Sequence, residues 1–116
     1  MQNGMEQAVR AYAASAAHRS PRDQEAEVFR RATAALRRGR DANPVVQVRA
    51  LADNTRLWTT VIGLMQDPDN ALPAPLRASI VSVGMAVQRE MQRDAPDFDF
   101  LIEVNEDIAA GLSGTA

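Results

Sequence analysis

The sequence predicts an all-α protein: one domain over residues 1–116, an antiparallel bundle of four main helices with a short N-terminal helix attached. Three observations predict it. Apolar residues recur at steps of three and four over four long segments, the spacing of one helix face. Joints marked by proline, asparagine and aspartate separate those segments at short intervals, which makes consecutive helices antiparallel neighbours. And β-branched residues nowhere fall into the sustained alternation of a strand.

Taken in order, residues 5–17 (MEQAVRAYAASAA) have high helix propensity but little apolar bulk, with Met5, Val9 and Tyr12 on roughly one side. Such a segment is helical only when docked, so residues 1–18 read as a weakly anchored arm. Ser20-Pro21-Arg22-Asp23 is a helix start: a capping hydroxyl, a proline suited to the first turn, and an acidic residue completing the box. Ala26, Phe29, Ala32, Thr33 and Leu36 form the stripe that follows, ending near Gly39. Asn43-Pro44 starts the next helix, expected to run to about Gln66. Its main face is Val48, Leu51, Thr55, Trp58, Ile62 and Met65, with Leu57, Val61 and Leu64 as a second line. A face that wide implies more than one partner element.

Asp67-Pro68-Asp69-Asn70 is turn chemistry, and Pro73 and Pro75 admit a helix start but hardly a continuation. The helix from about Pro73 to Arg93 presents Leu76, Ile80, Val83, Val87 and Met91. Together the two make a helical hairpin. Gly84 in the middle costs about 1 kcal/mol against alanine, so another group is expected to pack close to the backbone there. Asp94-Ala95-Pro96-Asp97 breaks the chain before a last face of Phe98, Leu101, Val104, Ile108 and Leu112. Asn105 falls at a core-facing step, where a structural role is expected. Residues 113–116 (SGTA) read as a disordered tail.

Composition narrows function. At 46% hydrophobic and 24% charged residues this is the profile of an ordinary soluble domain. No cysteine is present, which removes disulfides and thiolate metal sites and fits a reducing compartment. No apolar run reaches the roughly 20 residues of a membrane helix, and the N-terminus lacks a signal-peptide layout, so the expected location is cytoplasmic. All 13 basic residues are arginine. Five of them, Arg30, Arg31, Arg37, Arg38 and Arg40, crowd one segment. Asp94, Asp97, Asp99, Glu103, Glu106 and Asp107 crowd the other end.

Catalytic chemistry is poorly supplied. His18, the sole histidine, has no obvious partner and reads as a solvated loop residue. Asp97, Asp99 and Glu103 lack the spacing of a calcium loop, and no Glu-x-x-His pair offers a di-metal site. No cofactor, small-molecule substrate or enzyme activity is expected. Arg30 and Arg37, and Arg31 and Arg38, are one heptad apart and would form a basic strip able to touch RNA phosphates. No aromatic residues are interleaved to stack bases. Methionines on the hairpin suit a groove that accepts another helix, because thioether chains adapt to uneven surfaces.

The ordered set Leu57-Trp58, Asp67-Pro68-Asp69-Asn70-Ala71-Leu72-Pro73, Leu76-Arg77-Ala78 and Ile80-Val81-Ser82-Val83-Gly84 resembles the FlaF family of alphaproteobacterial flagellar biosynthesis regulators. Ile102-Glu103-Val104-Asn105, Ile108 and Gly111-Leu112 are similar too, and Ala11-Tyr12 fits more loosely. The sequence departs from the family pattern at Met85-Ala86, where a bulkier, often aromatic pair is expected. The resemblance implies a small helical protein needed for flagellin production and secretion, binding flagellin before export in partnership with the regulator FlbT. It implies no catalytic residues.

Joined to the residue reading, this gives a flagellin-binding export chaperone or adaptor. A groove on the hairpin, formed by Trp58, Ile62, Met65, Leu72, Ile80, Val81, Met85 and Met91, would cover an amphipathic terminal helix of flagellin. The N-terminal arm is a candidate to occupy that groove in the free protein. The alternative is a post-transcriptional regulator that contacts flagellin messenger RNA, or FlbT, through Arg30, Arg31, Arg37 and Arg38.

Overall fold

In a computed structural model, which describes residues 21–114, the chain folds into four helices, with no strand among the described residues. They are α1 (Pro21–Gly39), α2 (Pro44–Gln66), α3 (Ala74–Met91) and α4 (Phe98–Gly114). The expected N-terminal helix, His18 and the Ser20 cap lie outside the described residues. α4 runs to Gly114, so the first two residues of the expected tail are helical.

Local chemistry sets the boundaries. Asn43 is extended and its side chain accepts from the Val46 N–H at 3.1 Å, satisfying an orphan donor ahead of Pro44. Asp97 does the same for α4, its Oδ1 accepting from the Phe100 N–H at 3.1 Å. Glu90 near the end of α3 accepts from the Asp97 N–H at 2.9 Å, which ties the breaking loop back onto the helix it leaves. α3 starts one residue after Pro73 and has no side-chain cap; Pro75 in its first turn removes a donor that would otherwise need one.

One hydrophobic core draws on all four helices. α1 gives Ala26, Phe29 and Leu36; α2 gives Ala50, Leu57, Trp58, Val61 and Met65; α3 gives Ile80 and Val87; α4 gives Leu101, Ile102, Ala109 and Leu112. α1 packs most extensively on α4 and also on α2, while α3 packs chiefly on α2. The end of α1 lies beside the start of α4, where Arg40 Nη1 donates to Asp99 Oδ1 at 2.5 Å. Gly39 closes this corner: a Cβ there would stand 3.2 Å from Ala50 Cβ and 3.6 Å from Phe98 Cε2.

The buried stripe of α2 differs from the one its apolar pattern suggests. Val48 is 64% exposed and Thr55 is exposed, whereas Ala50, Asn54, Leu57 and Val61 are buried. The buried face keeps Trp58 and Met65 of the first line and takes in Leu57 and Val61 of the second, while Leu64 stays 40% exposed. The reason is Asn54, which a hydrophobicity pattern assigns to solvent but which is fully buried inside a polar chain described below.

Candidate partner-binding surface

The hairpin is closed by its connecting segment. The Asp69 N–H bonds to Asp67 Oδ1 at 2.9 Å, and the Leu72 N–H to Asn70 Oδ1 at 2.9 Å, two side-chain turns in succession. Asn70 Nδ2 donates to the Leu64 carbonyl at 2.9 Å. Arg77 reaches back from α3, with Nε on the Leu72 carbonyl at 3.0 Å and Nη1 within 3.3 Å of the Met65 carbonyl and 3.4 Å of the Asp67 carbonyl. A guanidinium thus covers the unpaired carbonyls at the negative end of α2.

Trp58 is the centre of the hairpin's inner side. Its ring packs edge-on against Phe29, centroids 5.4 Å apart at 79°, a favoured aromatic geometry. Its Nε1 donates to Asn105 Oδ1 at 2.9 Å; Asn105 Nδ2 donates to Asn54 Oδ1 at 2.8 Å; Asn54 Nδ2 points at Met91 Sδ, 3.2 Å away. The chain joins α2, α3 and α4 and leaves no buried side-chain N or O without a partner among the described residues. Gly84 lies against the same ring. An added Cβ would meet Ile62 Cγ1 at 2.8 Å and Trp58 Cε3 at 3.0 Å, so the glycine exists for close approach.

These contacts divide the eight hairpin residues expected to line a groove. Trp58 (0% exposed), Met65, Leu72 and Ile80 are buried in the core of the molecule. In this conformation they back a surface and do not present one. Met91 is half-buried, its sulfur also receiving the Thr55 hydroxyl at 3.4 Å. Ile62 and Val81 are half-buried as well. Met85 alone stands well into solvent, at 53%. Periodicity groups these residues correctly but does not say which neighbour occupies each face.

What remains open is the outer line of α3. Ala74, Ala78, Val81 and Met85 recur at steps of four, three and four, one stripe along the helix. A shallow trough beside it is lined by Met65, Gln66, Ala74, Arg77, Ala78 and Val81. Small alanines flanked by Val81 and Met85 leave room for side chains arriving from a neighbouring helix.

The arginine strip is divided too. Arg30 and Arg37 face α4 and border a depression with Thr33, Glu106, Ala109 and Ala110. Arg37 forms an ion pair with Glu106, and Arg30 lies 3.7 Å from Glu27. Arg31 and Arg38 face α2 instead. All four are exposed, two bordering each depression. Half of the acidic end is likewise engaged: Asp97 caps α4, Asp99 holds Arg40 and Glu106 holds Arg37, while Asp94, Glu103 and Asp107 are exposed. The Asp99 hydrogen bond and charge raise the Arg40 pKa above its usual value. No group of three His, Cys, Asp or Glu residues able to hold a metal occurs among the described residues. No helix there is long and apolar enough to cross a membrane.

Asn54 and Arg77 are the residues whose roles sequence reasoning missed. A signal existed for the first: an asparagine four residues before Trp58, on its face of the helix, matches Asn105 on α4.

A family model described as "Flagellar protein FlaF" matches residues 8–112. The chain belongs to the FlaF family. The match spans nearly the whole chain, all of α1, α2 and α3 and most of α4. No curated protein and no solved structure matches it. A FlaF chain is a flagellar protein, and the open stripe on α3 is to be read in that setting.

Proposed function

We propose that this FlaF chain is a flagellin-binding export adaptor whose contact surface is the outer line of α3. The observation that carries the reading is Met85, 53% exposed on a helix that packs chiefly against one neighbour, in line with half-buried Val81. A flagellar helical protein with an uncovered methionine-bearing stripe suits an amphipathic helix, since such a helix must bury its apolar face to stay unassociated. Flagellin subunits carry such helices at their ends and must be kept apart until export. Binding here is a matter of covering surface, with no covalent chemistry. Ile62 and Trp58 pack on Gly84 at the inner side of α3, and Met65, Leu72 and Ile80 are buried in the core.

The test is a calorimetric titration of the purified chain with flagellin of its own organism. Saturable one-to-one binding with a negative heat-capacity change, the mark of apolar burial, is the expected result. Absence of heat and of any shift in size-exclusion elution overturns the flagellin assignment.

A further inference from the structure

On the side of α1 away from α4, a second groove runs between α1 and α2, and it has a different character from the α3 stripe. Its floor is apolar: Val28, 51% exposed, then Ala32, Ala35 and Leu57. Ala32 and Ala35 are half-buried and small, so the floor is a trough bounded by bulkier Val28 and Leu57. Its rims carry Arg31 and Arg38 on α1 and Arg56 on α2, all exposed, against one lining carboxylate, Asp53. Arg31 and Arg38, seven residues apart, stand about 10.5 Å apart along the axis, close to two helical turns. Arg31 shares Glu27 at 3.5 Å; no ion pair of Arg38 or Arg56 is present among the described residues.

The opposite side of α1 shows what these arginines can do. There Arg37 and Arg40 are matched by Glu106 and Asp99 of α4, an acidic helix laid along a basic one. The α2 side repeats the apolar floor and the arginines without the acidic helix. We propose that the α1/α2 groove binds an acidic amphipathic helix of a partner protein, with its apolar stripe in the Val28–Ala35 trough and its carboxylates on Arg31, Arg38 and Arg56. An RNA would use the arginines but leave Val28 and Leu57 uncovered, and the groove offers no aromatic ring for a base. A second copy could offer only its own α4, with Glu103 and Asp107, a helix whose apolar face Leu101, Ile102, Ala109 and Leu112 is already buried in its own core. The proposal goes beyond the flagellin reading and does not depend on it: the two surfaces share no residue.

The probe is a fluorescein-labelled, alanine-based 18-residue helical peptide with leucines along one face and glutamates flanking them. Its controls are the same peptide with lysines in place of glutamates, and a 20-nucleotide single-stranded RNA. Fluorescence anisotropy is read at low salt against the full chain, Arg38→Glu, Arg56→Glu, Val28→Asp and, as a surface control outside both grooves, Arg49→Glu, each checked for helicity. The acidic peptide should bind and the lysine peptide should not. Each groove variant should lose about tenfold in affinity while Arg49→Glu is unchanged, because rim charges act locally through the partner's opposite charge. Equal binding of both peptides, or an acidic-peptide affinity indifferent to Arg38→Glu and Arg56→Glu, overturns the proposal. So does RNA binding that outcompetes the peptide, or concentration-dependent self-association abolished by Glu103→Arg and Asp107→Arg.

Discussion

The two sides of α3 carry similar residues and meet opposite fates. On one, Ile80, Gly84 and Val87 are buried against α2, with Gly84 closed down on Trp58 and Ile62. On the other, Ala78 and Met85 repeat the same spacing exposed to solvent, with Val81 between them only half-buried at the edge of the core. Hydrophobicity alone does not distinguish the sides. What distinguishes them is the polar chain Trp58–Asn105–Asn54, which fixes how α2 is rotated and so which side of α3 it receives. Buried polar groups that are fully paired specify one arrangement, because any other leaves donors unsatisfied.

The comparison breaks most severely at its inner end. Trp58→Ala removes the largest buried side chain and its contacts with Phe29 and Gly84, and should cost about 4 kcal/mol. Urea denaturation followed by circular dichroism measures this; a loss under about 1 kcal/mol would mean that Trp58 is not the core of the hairpin. Asn105→Ala comes next. It leaves Trp58 Nε1 and Asn54 Oδ1 buried and unpaired, for about 3 kcal/mol in the same assay. Because the loss sits on α2 and α4 together, the double variant Asn54→Leu/Asn105→Leu should recover part of it. No recovery would make the network incidental. The smallest effect belongs to the outer side. Met85→Glu exposes its charge to water and should change stability by less than about 0.5 kcal/mol.

Much of this architecture was legible from the residues. Pro21, Asn43-Pro44 and Asp97 mark helix starts by satisfying or omitting the donors a helix leaves orphaned, a local rule that needs no tertiary knowledge. The close packing over Gly84 was also readable, since a mid-helix glycine is unfavourable without a neighbour that requires it. The rotation of α2 was not. It depends on Asn54 meeting Asn105 across 51 residues of sequence, and a polar residue is counted as exposed until its partner is known. For the same reason the expected groove mixed Trp58 and Ile80 with Val81 and Met85: a helical period places residues on a face but does not name the element opposite. Nor was the pairing of Arg37 legible, since Glu106 reaches it from a helix far along the chain.

The central claim is that flagellin is held on the outer line of α3. The most direct measurement is calorimetry of flagellin with the double variant Val81→Glu/Met85→Glu beside the unaltered chain, both confirmed helical and equally stable to urea. The account predicts that the folded double variant loses most of its affinity, because two charges must be buried where apolar contact was made. Undiminished binding by that variant would contradict it.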